Sequence, residues 1–524
     1  MRIFNFIRRS PMLTGQKIAP TLHHVREDLF PDWGLRPESE ELSAAFDPFN
    51  LQLKPGVDRD IADEVDALLA GDFETAGQIA RPKLGMLPRS ERVEYMLRVT
   101  QCLHELRHFH DHFGTTAGFK RVLRTLDDGI QFYTLWDQLK QLGTVCLPLS
   151  QWARQSDAPN PLHNYAKKRR AYIEWFNLYD GPVFPSRPEL AERAAHQPVI
   201  AMCFDGLQTV LPSVSIKAVE IEIVQELESI ISTRIKGRCD RIVPLGCNVL
   251  MEGVAFAVQR EIVRRLFGPE AAEDVQSWMR YRAPLDRESW RYTALEVLIG
   301  GKIKKNFYSR YQIALADTAL MPAPDQKSPD DHPGVRTARL LGVAAKNPEL
   351  LAKPTGDLAS WAARLTRQLG WPNPRIVASR AFQMYKDALS RPSHSALDTV
   401  VRACVAMHHE FLAKRLEKPG LLADPTVWLG NFTSLPPPPI LFENGLLAVV
   451  ADQQPDAFAL WYFCEHFQRN TLFGTTLPCA IPSPHDCPGD PLSIQGWKPR
   501  ETCPFSQFLG MLGISTIKVN RLHI

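Results

Sequence analysis

The sequence predicts a mainly α-helical protein with small β elements. Apolar residues recur at intervals of three and four positions along most of the chain, which is the spacing of one face of a helix. Asp-Gly or Asn-Gly pairs between two apolar runs, which predict β-hairpins, occur at only a few places. Hydrophobic residues make up 44% and charged residues 23% of the chain, so we expect a packed globular core rather than extensive disorder.

The composition excludes several classes of protein. The 524 residues suffice for two to four domains, and 61 basic against 58 acidic residues give a net charge of +3. This balance predicts neither nucleic acid nor a membrane surface as a partner. The apolar stretch Ile3–Ile7 is too short for a signal-peptide core, and no stretch reaches the roughly 18 to 20 apolar residues of a membrane helix. We therefore expect a cytoplasmic protein, and its oligomeric state stays open.

Breaks in the helical periodicity predict four units along the chain. They are an irregular and then helical N-terminal region at 1–88, a core with an inserted hairpin at 89–320, a helical domain at 321–433, and a hairpin with a Cys- and Pro-rich tail at 434–524. Pro82 is predicted to interrupt the helix that begins at Phe73. Asn444-Gly445 predicts the hairpin of the last unit.

The core unit is predicted to begin with two long helices. Ser90 is a candidate N-cap for a helix that runs to Phe113, with Gly114 as its C-terminal stop. The elements predicted after this helix are a helix at Ala117–Leu142, a hairpin around Asp205-Gly206, and helices at Val219–Ser232 and Asn248–Phe267.

The first core helix carries the pattern His-Glu-x-x-His at His104, Glu105 and His108. Residues four apart lie on one face of a helix, so the two imidazoles can bind one metal ion. Glu105 lies about 100° around the helix from His104, where a carboxylate can take a proton from water activated by zinc. The alternative is a solvated helix face on which the charged Arg107 pairs with a carboxylate.

Zinc needs a third protein ligand. A third histidine ten positions after His104 is excluded, because Gly114 occupies that position. His110 and His112 are assigned to the surface or to a supporting position around the ligands. A glutamate on a later helix is the other common solution, and Glu252 in the segment Leu-Met-Glu-Gly-Val-Ala fits it. The rival carboxylates lie on the preceding predicted helix: Glu220, Glu222, Glu226 and Glu228.

His-Glu-x-x-His followed by a later helix with Glu-Gly-x-Ala resembles the gluzincin group of zinc metallopeptidases. The resemblance covers two helices. It implies a zincin-like two-helix metal site with large helical additions, in which His104, His108 and Glu252 bind Zn²⁺. It further implies that Glu105 is the general base and that the substrate is a protein or peptide.

Two further expectations follow from this resemblance. Gluzincin-like enzymes often stabilise the oxyanion with a downstream Tyr or His, and Tyr308 is the best candidate, ahead of Tyr292 and Tyr311. Zincins also place a β-sheet before the metal helix, but the sequence shows no such sheet upstream of His104. The hairpin at Asp205-Gly206 is then the candidate for the edge that binds substrate.

Two other groups of residues have alternative interpretations. A second, structural Zn²⁺ could be bound in the C-terminal tail, where ordinary buried thiols are the alternative. The residues of this group are Cys479, His485, Cys487 and Cys503. The basic run Lys167–Arg170 could contact nucleic acid, but a solvated helix face is the preferred interpretation.

The sequence as a whole therefore predicts a zinc-dependent metallopeptidase. We expect a cytosolic protease that is either specific for its substrate or regulated. The alternative, from another class, is a catalytically silent helical scaffold or sensor that retains the metal helix for structure. Substitution of Glu105 by glutamine separates the two, because only an enzyme would lose an activity while keeping its metal.

Overall fold

The fold is that of a computed structural model, and α-helices make up most of its described residues. The described residues are 45–47, 51–54, 59–180, 246–282, 292–293, 295–296, 308–324, 329–347, 358–390, 396–424, 427–428, 434–441, 447–448, 455–473 and 518–521. No helix among them is both long and apolar enough to cross a lipid bilayer. The predicted mainly α-helical class with small β elements is confirmed.

Two strands and two helices precede the long helices. They are β1 (Ala45–Asp47), β2 (Gln52–Lys54), α1 (Ala62–Leu69) and α2 (Phe73–Met86). The Asp72 side chain caps α2 by accepting a hydrogen bond from the Thr75 backbone N–H at 3.0 Å. The predicted break at Pro82 is wrong, because α2 continues through this proline while it packs against α1. Tertiary packing here outweighs the local cost of the proline.

Helices α3 (Arg89–Gly114) and α4 (Thr116–Lys140) confirm the two predicted long helices to within a few residues. The N-cap position of α3 is Pro88 rather than Ser90, and no side chain caps this end. A single residue, Thr115, separates α3 from α4. Its hydroxyl accepts a hydrogen bond from the Gly118 N–H at 3.0 Å and so caps α4.

The rest of the described chain adds ten helices and four short strands. They are β3 (Thr144–Leu147), α5 (Leu149–Trp152), α6 (Asn160–Asp180), α7 (Cys247–Phe267), α8 (Pro269–Arg282), α9 (Tyr308–Ala319), α10 (Pro333–Lys346), α11 (Leu358–Gln368), α12 (Pro374–Leu389), α13 (Ala396–Glu417), β4 (Ile440–Leu441), β5 (Leu447–Ala448), α14 (Pro455–Phe473) and β6 (Lys518–Arg521). Helix α7 confirms the helix predicted at Asn248–Phe267, whereas α8 and α14 lie outside the predicted helices. The predicted hairpin at Asp205-Gly206 and the helix at Val219–Ser232 lie outside the described residues.

The strands of the described part form two small sheets. The larger has the order β1-β2-β4-β5, in which β2 and β4 are parallel and the other neighbours are antiparallel. The antiparallel pairing of β4 with β5 confirms the hairpin predicted at Asn444-Gly445. The second sheet pairs β3 with β6 in parallel. Because β1 and β2 precede α3, the expectation that no sheet lies upstream of His104 is wrong. The sequence did not reveal these strands because three residues are too few to show an alternating pattern.

Helix α3 runs through the middle of the hydrophobic core. Every residue from Val99 to Gly114 is buried, so this part of α3 is buried on all sides, although its apolar spacing predicts an apolar face on one side only. It packs against α4, α7, α13 and β1. A smaller apolar cluster, which includes Met96 and Phe256, joins α3 to α7 and α8. Each polar side chain of α3 therefore needs a partner within the protein.

Gly118 permits the close approach of α3 and α4, and its substitution tests this contact. A Cβ at Gly118 would lie 2.1 Å from the carbonyl oxygen of Asp111 and 2.7 Å from the Cα of His112. Because these are backbone atoms, we expect Gly118→Ala to lower the free energy of unfolding by about 2 kcal/mol or more. Urea unfolding followed by circular dichroism measures this change.

Gly85→Ala in α2 is the matched control. A Cβ at Gly85 would meet no atom within 4 Å, so this variant should be as stable as the parent or slightly more stable. Equal unfolding midpoints for the two alanine variants would show that the α3–α4 contact is not as tight as described.

Candidate metal centre

Two packed helices supply the three residues of the candidate metal centre. His104 and His108 lie one turn apart on α3, and Glu252 lies in the second turn of α7. Helix α7 packs along α3, and Gln312 of α9 donates a hydrogen bond to the carbonyl of Gly253 at 2.9 Å. This packing brings Glu252 to His108 although 144 positions separate them in the sequence.

The three side chains present their ligand atoms as a compact triangle. His108 Nε2 lies 3.1 Å from His104 Nε2 and 3.1 Å from Glu252 Oε2. The third side, from His104 Nε2 to Glu252 Oε2, is 3.4 Å. Ligand atoms on bonds of about 2.0 to 2.1 Å to a tetrahedral ion are about 3.3 to 3.4 Å apart. The group can therefore bind a metal ion, and three ligands leave a fourth position for water or substrate.

The charges of these residues favour a cation between them. Burial disfavours the charged form of His108, but the adjacent Glu252 carboxylate outweighs this effect and raises the pKa of His108 to about 9. Burial likewise opposes ionisation of Glu252, but His108 and His104 lower the pKa of its carboxyl well below the usual range. The carboxylate thus stays ionised in a buried site, where a metal ion could take the place of the proton.

Glu105 is buried beside the ligands, and both of its carboxylate oxygens accept hydrogen bonds. Oε1 accepts one from Gln101 Nε2 at 2.5 Å, and Oε2 accepts one from the Phe46 backbone N–H of β1 at 2.9 Å. A carboxylate offers about four lone-pair sites, so these two bonds do not by themselves exhaust its capacity. A carboxylate next to the candidate ligands is a candidate for a general base.

Tyr292 is the tyrosine that lies beside the ligands. The centroid of its ring is 5.7 Å from that of His104 and 5.9 Å from that of Phe256. Tyr311 is instead buried in α9, with its ring 5.2 Å from that of Trp361. Tyr308, the preferred candidate from the sequence, is the first residue of α9, and its side chain lies outside the described part of the chain. Of Tyr292 and Tyr311, whose side chains are described, Tyr292 is therefore the better-placed candidate for an oxyanion donor, and the prediction for Tyr308 stays a prediction.

His110 and His112 are buried, which excludes the surface position for both and leaves the alternative of a supporting position. His112 Nδ1 donates a hydrogen bond to the His108 carbonyl at 2.7 Å, and its Nε2 accepts one from Arg121 Nη1 at 2.8 Å. Burial, followed by the charge of Arg121, lowers the pKa of His112 well below its usual value. His110 Nε2 bonds the Pro436 carbonyl at 3.2 Å. Both rings therefore connect α3 to neighbouring segments as neutral groups.

Arg107 is fully buried, which contradicts the alternative of a solvated helix face. It pairs with Asp111 one turn later, with Nε 3.0 Å from both carboxylate oxygens and Nη2 2.7 Å from Oδ1. Its Nη1 donates to the Leu422 carbonyl at 2.6 Å, and its guanidinium lies 4.6 Å from the centroid of the Trp428 ring. The charge at this position of the motif is thus neutralised within the core rather than by water.

The basic run Lys167–Arg170 lies on α6, and only part of it is solvated. Arg169 forms an ion pair with Asp128 of α4, and Lys168 Nζ donates to the Gln131 side chain at 2.7 Å. Lys167, Lys168 and Arg170 are exposed, and Arg169 is half-buried. The preferred interpretation as a solvated helix face is therefore confirmed for three of the four residues, while Arg169 and the amine of Lys168 also connect α6 to α4.

The remaining predicted sites fall into two groups. The candidate structural zinc residues and the rival carboxylates lie outside the described residues: Cys479, His485, Cys487, Cys503, Glu220, Glu222, Glu226 and Glu228. The described cysteines are free thiols: Cys102, Cys146, Cys247, Cys404 and Cys464.

Two contributors to the site, Gln101 and Phe46, were not identified from the sequence, and a third, Tyr292, was ranked below Tyr308. Gln101 stands one turn before Glu105, and this spacing could have identified it as a partner of the carboxylate. Phe46 contributes a backbone N–H from a distant strand, for which the sequence carries no signal. Tyr292 was considered, but nothing in the sequence distinguishes it from the other tyrosines.

Comparisons of the chain with known protein families, with curated proteins and with solved structures gave no match. The class of protein therefore has to be argued from the geometry and chemistry of the His104, His108 and Glu252 centre.

The metal centre makes a direct prediction about metal content. Purified protein that is loaded with Zn²⁺ and dialysed should retain one ion per chain, and His104→Ala, His108→Ala or Glu252→Ala should each lose it, because two remaining ligands bind zinc weakly. Mass spectrometry of the metal content provides the measurement. The exposed His163→Ala is the control and should retain the ion. Retention of stoichiometric zinc by all three ligand variants would contradict the assignment.

The buried pair of Arg107 and Asp111 predicts a large loss of stability when one partner is removed. We expect Arg107→Leu to lower the free energy of unfolding by about 3 to 5 kcal/mol, since a buried carboxylate would lose its counter-charge. Urea unfolding measures the change, with the exposed Arg170→Leu as the control. A midpoint for Arg107→Leu equal to that of the control would argue for a solvated arginine after all.

Proposed function

We propose that this protein is a zinc-dependent metallopeptidase with gluzincin-like ligands, which hydrolyses peptide bonds. The observation that carries the proposal is the triangle of two imidazole nitrogens and one carboxylate oxygen, with sides of 3.1, 3.1 and 3.4 Å. Two histidines and a glutamate with an open fourth position are a donor set of catalytic zinc sites. The adjacent buried Glu105 supports the hydrolytic assignment, because it places an acid–base group beside that position.

Each residue of the centre has a defined part in this reaction. Zinc would supply a Lewis acid that lowers the pKa of a coordinated water to about 7. Glu105 takes a proton from the attacking water as its oxygen bonds to the peptide carbonyl carbon. When the C–N bond breaks, Glu105 returns this proton to the leaving amine nitrogen. His104, His108 and Glu252 hold the ion, and their single negative charge leaves the site net positive.

Tyr292 is proposed to stabilise the oxyanion. Its ring packs against the ring of His104, so its phenol belongs to the immediate surroundings of the centre. A phenolic O–H can donate a hydrogen bond to the carbonyl oxygen of the substrate as negative charge develops there. Loss of one such donor typically lowers kcat by about 10²- to 10³-fold, which is the effect that we expect for Tyr292→Phe.

The burial of the centre favours a selective protease. His104 is 1% exposed and Glu105 5% exposed, and the whole of α3 around them is enclosed by other elements. A site that accepts any unfolded peptide would need an open cleft over these residues. We therefore propose a specific or regulated cytosolic protease, in which access to the centre depends on the substrate or on a rearrangement.

One observation favours a second candidate, a catalytically silent scaffold or sensor. The Glu105 carboxylate joins α3 to β1 through the Phe46 N–H, which is a structural role that requires no catalysis. In that case the metal ion would stabilise the contact between α3 and α7 without turnover.

Substitution of Glu105 separates these two functions. Glu105→Gln should retain one zinc ion and its stability, because an amide oxygen can still accept from Phe46, but cleavage should fall by about 10²- to 10⁴-fold through loss of the base. The measurement is turnover of a diverse peptide mixture followed by mass spectrometry, with and without a chelator. Glu410→Gln, at an exposed position of α13, is the control. If zinc-loaded parent protein cleaves nothing in this mixture, the silent scaffold becomes the better assignment.

A further inference from the structure

Glu105 is held by a partner on its own helix. Gln101 lies one turn earlier, about 40° around the helix axis from Glu105 and about 20° from the line of His108. Its Nε2 is 2.5 Å from Glu105 Oε1, and its side chain is buried with the carboxylate. In this orientation the N–H₂ group of Gln101 donates the hydrogen bond, and the contact stabilises the ionised carboxylate.

A second donor reaches Glu105 from strand β1. Residue Phe46 is opposite Leu53 of β2, and its N–H points away from β2 to Glu105 Oε2 at 2.9 Å. Strand β1 is the outer strand at its end of the four-stranded sheet, so this N–H is available to a side chain. The Phe46 ring fixes the strand on α3, with its centroid 6.0 Å from that of Phe109 and 5.0 Å from that of His112.

These two donors restrain different oxygens of one carboxylate. A glutamate side chain has three rotatable bonds, and one hydrogen bond would still allow it to turn about the bonded oxygen. Two donors from different elements, Gln101 on α3 and the Phe46 N–H on β1, fix both its position and its plane. The orientation of Glu105 is therefore set before any substrate binds.

A restrained carboxylate matters because Glu105 follows a ligand directly. Carboxylates are themselves good zinc ligands, and a mobile glutamate next to His104 could turn into the open fourth position. It would then displace the attacking water and no longer act as a base. Donors that hold both oxygens keep the carboxylate beside the ion rather than on it.

We propose that Gln101 and the Phe46 backbone N–H are positioning groups that keep Glu105 in the place of a general base and prevent it from becoming a fourth metal ligand. The inference rests on the proposed metallopeptidase function. It assigns the sheet that contains β1 a role in orienting Glu105, through the Phe46 N–H at the edge of this sheet. It also predicts that loss of Gln101 alters the metal site without removing a ligand.

The test uses the full-length protein loaded with Co²⁺, whose visible absorption reports the coordination of the ion. In Gln101→Met the side chain keeps its size and loses its donor, and in Gln101→Asn the amide is too short to reach Glu105. Both variants should bind one Co²⁺ with a visible spectrum altered from that of the parent. On a peptide that the zinc-loaded parent cleaves, kcat should fall about 10- to 100-fold with KM changed by less than about 2-fold.

Gln259 of α7 provides the matched control. It is a buried glutamine whose Nε2 also bonds α3, at the Leu97 carbonyl and the Thr100 hydroxyl, with distances of 3.2 and 3.0 Å. Gln259→Met should lose stability, as Gln101→Met does, while it keeps the parent spectrum and kcat. A purely structural role for Gln101 predicts that the two methionine variants behave alike.

The possible outcomes separate this inference from the proposed function. If the parent protein binds no Co²⁺, the metallopeptidase proposal fails and the inference fails with it. If the parent binds Co²⁺ and the Gln101 variants keep its spectrum and its kcat, the inference alone is overturned. If the parent binds Co²⁺ but cleaves no peptide, the spectra decide, and an unchanged spectrum in both Gln101 variants overturns the inference.

Discussion

Burial of a carboxylate beside two imidazoles costs free energy unless a positive charge lies between them. The packing of α3 against α7 depends on meeting that requirement. Glu252 stays ionised there because His108 and His104 compensate for its burial. A proton on His108 can do this, and so can a metal ion. The packing of α7 on α3, supported by the hydrogen bond from Gln312 to the Gly253 carbonyl, brings Oε2 of Glu252 to 3.1 Å from Nε2 of His108.

The same requirement, that a buried charged or polar group has a partner, applies to the other polar side chains in the buried part of α3. Arg107 is neutralised by Asp111, and His110 and His112 are neutral rings that bond backbone carbonyls. Glu105 receives two donors. A helix of this composition would be unstable if its partners were removed, so the surrounding helices and the small sheet form a scaffold of polar partners as much as an apolar shell.

The sequence was informative where the signal is local. The spacing of His104 and His108 predicted a shared face, and the long helices and the later hairpin were predicted to within a few residues. It was misleading where tertiary packing decides, as in the helix through Pro82 and in the burial of α3 from Val99 to Gly114. Strands of two or three residues have no readable period, and a backbone donor such as the Phe46 N–H leaves no trace in residue types. Glu252 could be identified only through its Glu-Gly-x-Ala motif, because the spacing of apolar residues does not indicate which distant helix packs on α3.

The sheet that holds Phe46 has a consequence for the order in which the protein becomes complete. Strand β2 is paired on one side with β1 and on the other with β4, at Ile440. During synthesis, the ribosome releases His104, His108 and Glu252 long before it makes Ile440. The three candidate ligands are therefore available while β2 still lacks β4, and the sheet whose edge strand bonds Glu105 is completed only after them. Completion of the candidate ligand set and completion of this sheet are separate events in time.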